Sequence, residues 1–266
     1  MVSIAVAQFA PGLDKQQNEE IITKLVRQAT QFGARLVVLP EYAMFTAPSM
    51  DRSFLETAEP LSGRFVTNLA TLARELDIFV VAGLNEELEG DKQISNTLVA
   101  LGPQGEVVAV YRKLHLYDAF GYKESDLVRP GEVEAPETFA VEGLSFGMQT
   151  CYDIRFPEAT RRIVDAGAQV LLLPAEWVPG PLKEDHWTTL LRARAIENTI
   201  YVAAAAQCAP TGAGNSMIVD PMGVVLTSLG EQTAAAVAEL SEERLRAVRL
   251  KNPALELRRF KVAADT

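Results

Sequence analysis

Residues 36–42 read LVVLPEY and residues 170–177 read VLLLPAEW. Each is an apolar run without alternation, closed by Leu-Pro, with a glutamate just beyond. A strand carrying apolar side chains on both faces must be covered on both faces, so these runs predict central strands buried between layers. Each also follows a helix-periodic segment. Upstream of the first, Asp14 can cap a helix, with Gln17 three residues later reaching back. Ile21, Ile22, Leu25, Val26, Ala29 and Phe32 recur at helical spacing, and Gly33 ends the run. Upstream of the second, a helix from Pro157 to about Ala166 stops at Gly167. The likeness of the two strand ends fits two similar halves about a pseudo-two-fold axis, although so short a match also fits coincidence.

The same alternation continues outward. SIAVAQFA (Ser3–Ala10), IFVVAGLNEE, SNTLVALGP, EVVAVYRKLHLYD, LSFGMQT and IYVAAAAQC read as strands, and NSMIVDPMGVVL reads as a hairpin. Helices are expected at Arg64–Leu76, over DHWTTLLRARAIENT, and over EERLRAVRL, the last capped by Ser241. Residues 123–137 read as loop. Helices interleaved with buried strands predict an α/β architecture of sheets covered by helices. No Gly/Ser linker, tandem repeat or low-complexity stretch divides the chain, so residues 1–266 are expected to form a single domain.

With 48% hydrophobic and 23% charged residues, the chain can fill a large core. Its net charge of −10 argues against nucleic acid or an anionic membrane as partner, since both require clustered Lys and Arg. No apolar run reaches the ~20 residues needed to span a bilayer, and the N-terminal stretch lacks a basic segment followed by a long apolar one. Cys151 and Cys208 are the only cysteines, which suggests a reducing, cytoplasmic setting without a disulfide framework.

Three chemically capable residues lie at or just past the ends of apolar runs: Glu41 after VVLP, Lys113 after VVAVYR, and Cys151 after FGMQT. Strand ends share one rim of a sheet, where sites in α/β folds are built. Taken singly, each has an ordinary reading as a capping carboxylate, a surface lysine or a packed thiol. Together they supply a base, an oxyanion partner and a nucleophile, which is what thiol-dependent acyl transfer requires. A Cys–His hydrolase is a rival, but the two histidines, His115 and His186, stand in no sequence context of the known Cys–His families. A binding protein without activity is a second rival, because fold does not fix function.

The segments LVVLPEY, YRKLHLYD and TCYDIRFPE occur in that order, and with them nearly the whole chain resembles the nitrilase superfamily of carbon–nitrogen hydrolases. The resemblance implies a four-layer αββα sandwich, usually paired into an eight-layer homodimer. It implies Glu41 as general base, Lys113 as oxyanion stabiliser and Cys151 as nucleophile. GYKESDLVRPG matches the family loop that carries a second glutamate, here Glu124. No metal or organic cofactor is implied, and the partner is a small-molecule amide. Gln149 and Thr150 depart from the small apolar residues of many relatives, and strand alternation predicts that Gln149 shares a face with Cys151.

Within the superfamily, KLHLYDAF and WVPGPLKEDHWTTLLRARAIENT are similar to the deaminated-glutathione amidase branch, and CYD-x-RF is shared with omega-amidases acting on 2-oxoglutaramate. Both substrate classes carry a carboxylate, so a cation is needed. Arg155, four residues after the nucleophile, is the expected one; its alternative is a scaffold ion pair with Asp153 or Glu158. The turn at Cys151 should leave the Tyr152 amide free to meet an oxyanion, with Asp153 holding the turn through backbone hydrogen bonds. Helices near Cys151 and Trp187 are the expected dimer contacts.

Overall fold

In the computed structural model, which describes residues 1–263, the LVVLP run becomes β2 (Leu36–Val38) and the VLLLP run becomes β8 (Val170–Ala175). The remaining elements of the first half are β1 (Val2–Gln8), α1 (Lys15–Gln31), the one-turn α2 (Ser53–Glu56), α3 (Arg64–Leu76), β3 (Phe79–Glu87), β4 (Ile94–Leu101) and β5 (Val107–Arg112). The second half contains β6 (Thr138–Val141), β7 (Leu144–Met148), α4 (Pro157–Asp165), α5 (Lys183–Asn198), β9 (Tyr201–Ala206), β10 (Met217–Val219) and β11 (Val225–Ser228), followed by β12 (Ala234–Leu240) and α6 (Glu242–Lys251).

The strands form two six-stranded sheets, in the orders β12-β1-β2-β3-β4-β5 and β6-β7-β8-β9-β10-β11. Neighbouring pairs follow the same directions in both: antiparallel, parallel, parallel, antiparallel, antiparallel. β2 and β8 therefore occupy equivalent positions, and the likeness of LVVLP to VLLLP is a likeness of structural place.

Why the runs do not alternate is plain from their neighbours. Leu36 and Val38 of β2, with Val170 and Leu172 of β8, pack into the core between the two sheets. Val37 and Leu39 face the core beneath α1 and α3, whereas Leu171 and Leu173 face the core beneath α4 and α5. With a side-chain period of two, both faces must be apolar when a sheet is covered on one side by a second sheet and on the other by helices. The result is an αββα sandwich. Burying one Val or Leu contributes about 1.5–3 kcal/mol, and these strands bury every residue.

Asp14 caps α1 by accepting from the amides of Gln16 and Gln17, and Ser241 caps α6 through the amide of Arg244. Two strands were not legible. β12 is Ala-rich, with little intrinsic strand preference, and is held by seven-residue antiparallel pairing to β1. β6 is four residues long and exists through its pairing with β7. β5 ends at Arg112, so the expected strand through Asp118 is too long; LHLYD instead leaves the sheet toward the site. Among the described residues, no helix is long and apolar enough to cross a membrane.

Candidate active site

Glu41, Lys113, Glu124 and Cys151 converge at one rim of the sandwich, on a cavity of about 610 Å³ also lined by Tyr42, Tyr117, Tyr122 and Glu176. Each arrives by a different route. β2 delivers Glu41 into a turn closed by Tyr42, whose φ is +51°. That turn lies against β3: a Cβ on Gly83 would stand 2.7 Å from both Glu41 Cα and Tyr42 N, so only glycine permits this approach. Lys113 follows the last residue of β5, and its amide donates to Asn96 O on β4 at 2.9 Å. Glu124 opens a 3-10 turn, Glu124–Asp126, in the loop that follows.

Cys151 opens a second 3-10 turn, Cys151–Arg155, with φ of +41°. The left-handed region is costly for a residue with a Cβ, and such conformations gather at sites where surrounding contacts impose them. Asp153 is the main contact here. Its buried carboxylate accepts from Thr150 N (3.1 Å), the Tyr111 hydroxyl (2.7 Å) and His115 N (2.9 Å), and lies 2.7 Å from His115 Nδ1. His115 in turn stacks on Phe156 with centroids 3.7 Å apart. The histidine thus supports the nucleophile turn from behind through Asp153. Asp153 does hold the turn through backbone hydrogen bonds, as expected. Position also leaves the Tyr152 amide without an acceptor inside the turn, where the first hydrogen bond runs from Asp153 N to Thr150 O.

The charged groups form one buried network. Lys113 Nζ donates to Glu41 Oε1 at 3.0 Å and to Glu124 Oε1 and Oε2 at 3.1 and 2.9 Å. Asn96 Nδ2 donates to both carboxylates, at 2.7 Å to Glu41 and 3.0 Å to Glu124. Glu41 Oε2 accepts from the amide of Glu176 at 2.5 Å. Glu124 also accepts from the Tyr42 hydroxyl (2.9 Å) and the Tyr117 amide (2.6 Å). With its oxygens so fully occupied, Glu124 is placed to fix Lys113 and has few lone pairs left for a water molecule.

Burial pulls the Lys113 ammonium down, but the Glu124 and Glu41 charges outweigh it and hold its pKa well above the ordinary lysine range. Burial would raise Glu124, yet Lys113 holds it below the usual carboxylate range. Burial, then the Glu41 charge, push the Cys151 thiol up. The resting sulfur is therefore a thiol, and its Sγ is 3.6 Å from Glu176 O. A protonated thiol beside a carboxylate, with one cation shared between two carboxylates, can pass a proton without changing the net charge of the site.

One expectation is corrected. Gln149 does not share the cavity face with Cys151. β7 ends at Met148, the turn breaks the alternation, and Gln149 Oε1 accepts from Thr160 Oγ1 of α4 at 2.8 Å in full burial. Arg155 pairs with neither Asp153 nor Glu158 and is not among the residues lining the cavity. Its guanidinium lies 4.9 Å from the Trp177 ring centroid, and Nη2 is 3.4 Å from His186 Nδ1. Cys208 is buried away from the cavity lining, near the Thr233 hydroxyl at 3.5 Å. Asn96 and Glu176 were missed. Asn96 was signalled by a polar residue inside the apolar strand SNTLVAL, and Glu176 by the match of its strand end to that of Glu41. Among the described residues, no three His, Cys, Asp or Glu side chains are grouped to hold a metal ion.

The family model for carbon–nitrogen hydrolases matches residues 3–250. The deaminated glutathione amidase of Escherichia coli O157:H7 is 40% identical over 258 residues, covering 97% of both chains. The human deaminated glutathione amidase is 36% identical over 273 residues, covering 96% of this chain and 82% of its own. Among solved structures, Saccharomyces cerevisiae Nit3, of the nitrilase superfamily, superposes with a TM-score of 0.86 at 28% identity, covering 97% of each chain. A mutant of the amidase from Nesterenkonia sp. AN1, with the acetamide moiety of fluoroacetamide added covalently at its active-site cysteine, superposes with a TM-score of 0.83 at 29% identity, covering 97% of this chain and 94% of that one.

Proposed function

This chain belongs to the carbon–nitrogen hydrolase family, a hydrolase of C–N bonds other than peptide bonds, and from that premise we propose an amidase acting on a small carboxylate-bearing amide, deaminated glutathione first, through a thioester on Cys151. The observation that carries this reading is the buried Glu41–Lys113–Glu124 network meeting a strained cysteine at the floor of a cavity. A volume of about 610 Å³ accommodates a tripeptide-sized amide.

The steps follow from the geometry. Glu41, the carboxylate whose charge bears most on the thiol, takes its proton as sulfur attacks the amide carbon. The C=O electrons move onto oxygen, where the Lys113 ammonium and the Tyr152 N–H stabilise the charge. Collapse of the intermediate expels the amine, which leaves with the proton held by Glu41. Water then gives its proton to Glu41 and attacks the thioester, restoring the thiol and releasing the acid. Glu124 keeps Lys113 in register throughout; a direct role in placing the water is the alternative for this residue. The covalent adduct at the cysteine of the Nesterenkonia amidase supports the nucleophile assignment.

The preference for deaminated glutathione over 2-oxoglutaramate rests on the curated relatives and on the WVPGPLKEDHW segment. Two free cysteines support a reducing, cytoplasmic setting. The test is a panel containing both oxo-amides, nitriles and N-carbamoyl amino acids, assayed with wild type and Cys151→Ala. The wild type should release 2-oxoglutarate from the oxo-amides and show an acyl adduct by intact-protein mass spectrometry; the variant should show neither. Faster turnover of nitriles or carbamoyl amino acids would overturn the substrate, and activity in Cys151→Ala would overturn the mechanism.

A further inference from the structure

Among the described residues three cations are buried: Lys113, Arg194 and Lys183. Lys113 has two carboxylates and Arg194 has Glu197. Lys183 has no carboxylate within ion-pair distance among the described residues, although it is only 6% exposed. Its ammonium donates to the Tyr117 hydroxyl at 2.8 Å and is ringed by Phe120, Tyr117 and Trp177, with centroids at 4.7, 4.8 and 5.0 Å. Aromatic faces return only part of the hydration that an ammonium gives up, so a buried cation without an anion is incomplete.

The segment around it is built to hold it there. Leu182 is left-handed with φ of +60°, and the Trp177 indole donates to Lys183 O at 2.7 Å. Arg155 adds a second cation against the same Trp177 ring, also without a carboxylate partner. Tyr117 touches Lys183 and lines the cavity that also holds the nucleophile. Its oxygen already accepts from Lys183, and its hydroxyl hydrogen has no acceptor among the described residues, so it is free to donate into the cavity. Burial and the nearby Cys151 sulfur push the phenol up to about 12, which keeps that hydrogen in place at neutral pH.

We propose that Lys183, acting through the Tyr117 hydroxyl and backed by Arg155, is the specificity determinant for an acidic substrate, and that the bound substrate carboxylate supplies the anion this cluster lacks. The inference rests on the acidic-amide reading above but moves the principal recognition charge from Arg155 to Lys183. Tyr117 donates its O–H to the carboxylate, and the Lys183 ammonium polarises that phenol from behind.

Glutarate, the dicarboxylate left when a five-carbon acidic amide is hydrolysed, is the binding probe, titrated calorimetrically into Cys151→Ala protein. Glutaramate and valeramide, equal in length and differing in the terminal carboxylate, are the kinetic pair for the active enzyme. Adding Lys183→Met or Tyr117→Phe should weaken glutarate binding on the order of 10- to 100-fold, and the glutaramate-to-valeramide ratio of kcat/KM should fall by a similar factor, mainly through KM. Lys183→Arg should retain most of both, and thermal melting confirms that each variant is folded. Undiminished glutarate binding in the folded Met and Phe variants overturns the proposal. Equal loss on both amides does so too, because Lys183 would then serve the sulfur. No glutarate binding to the parent overturns it while acidic amides are still hydrolysed; with no turnover of any acidic amide, the substrate reading itself fails.

Discussion

Replacing Gly83 by alanine places one methyl group where the base of the site is fixed. The new Cβ would meet Glu41 Cα and Tyr42 N at 2.7 Å and Pro40 O at 2.9 Å. Ordinary contact begins at about 3.4 Å, so a separation of roughly 0.7 Å must be found. All three atoms are backbone, and no rotamer change can clear them. The turn is also tied to β3 by Leu39 N to Val81 O at 2.8 Å and Gly83 N to Pro40 O at 3.2 Å, so displacement strains both hydrogen bonds. Overpacking of this kind costs about 1–3 kcal/mol. At roughly 2–4 °C per kcal/mol for a chain of this size, Tm should fall by several degrees. The catalytic effect should be larger, because a shift approaching 1 Å in a reacting group costs on the order of 100-fold. The assay is kcat and KM on the amide turned over fastest, beside a thermal melt. Gly12→Ala, whose Cβ would meet nothing within 4 Å, is the control and should be close to neutral. A Gly83→Ala enzyme with kcat within threefold of wild type and an unchanged Tm would show that the turn accommodates the methyl group, and the argument that β3 sets the position of Glu41 would fail.

Lys113→Met removes the cation shared by Glu41 and Glu124; breaking a buried ion pair costs about 3–5 kcal/mol, measurable by urea denaturation, and adding Glu124→Gln should recover part of the stability but none of the activity. Glu176 is raised well above its ordinary 4.5 by burial and then by the Glu41 charge, so its stabilising contribution is complete below that value and is lost as pH rises toward the folded-state pKa. Glu176→Gln should therefore match wild type in Tm near pH 4 and melt higher than wild type at neutral pH; a Tm difference independent of pH would contradict the assignment. The exposed Ile196, Leu250 and Phe260 would stand in water in a monomer, so light scattering at micromolar concentration should give about twice the chain mass of 29.0 kDa, and a stable species at the chain mass would refute the dimer.

The sequence determined the layers. Short apolar runs without alternation, closed by Leu-Pro, predict strands covered on both faces, and LVVLP and VLLLP proved to be equivalent strands of two matching sheets. It also determined the chemical inventory, since Glu41, Lys113 and Cys151 are recognisable from their place at strand ends and Glu124 from the resemblance of its loop to that of the nitrilase superfamily. Tertiary structure decided what the side chains do. Gln149 was read by strand alternation, but the strand stops at Met148 and the positive φ at Cys151 turns the chain, so Gln149 packs on α4. Arg155 was read by its nearness to the nucleophile in sequence, yet it lies against Trp177 and His186, while Lys183, 32 positions beyond Cys151, reaches the cavity wall through Tyr117. His115 had a rival reading as a base until Asp153 was seen to hold it behind the turn. Strand and helix patterns are local, so a single chain segment carries them. Which charge lacks a partner, which carboxylate is saturated with donors and which glycine meets a distant backbone all depend on groups tens to hundreds of residues apart, and only the folded chain brings them within hydrogen-bond distance.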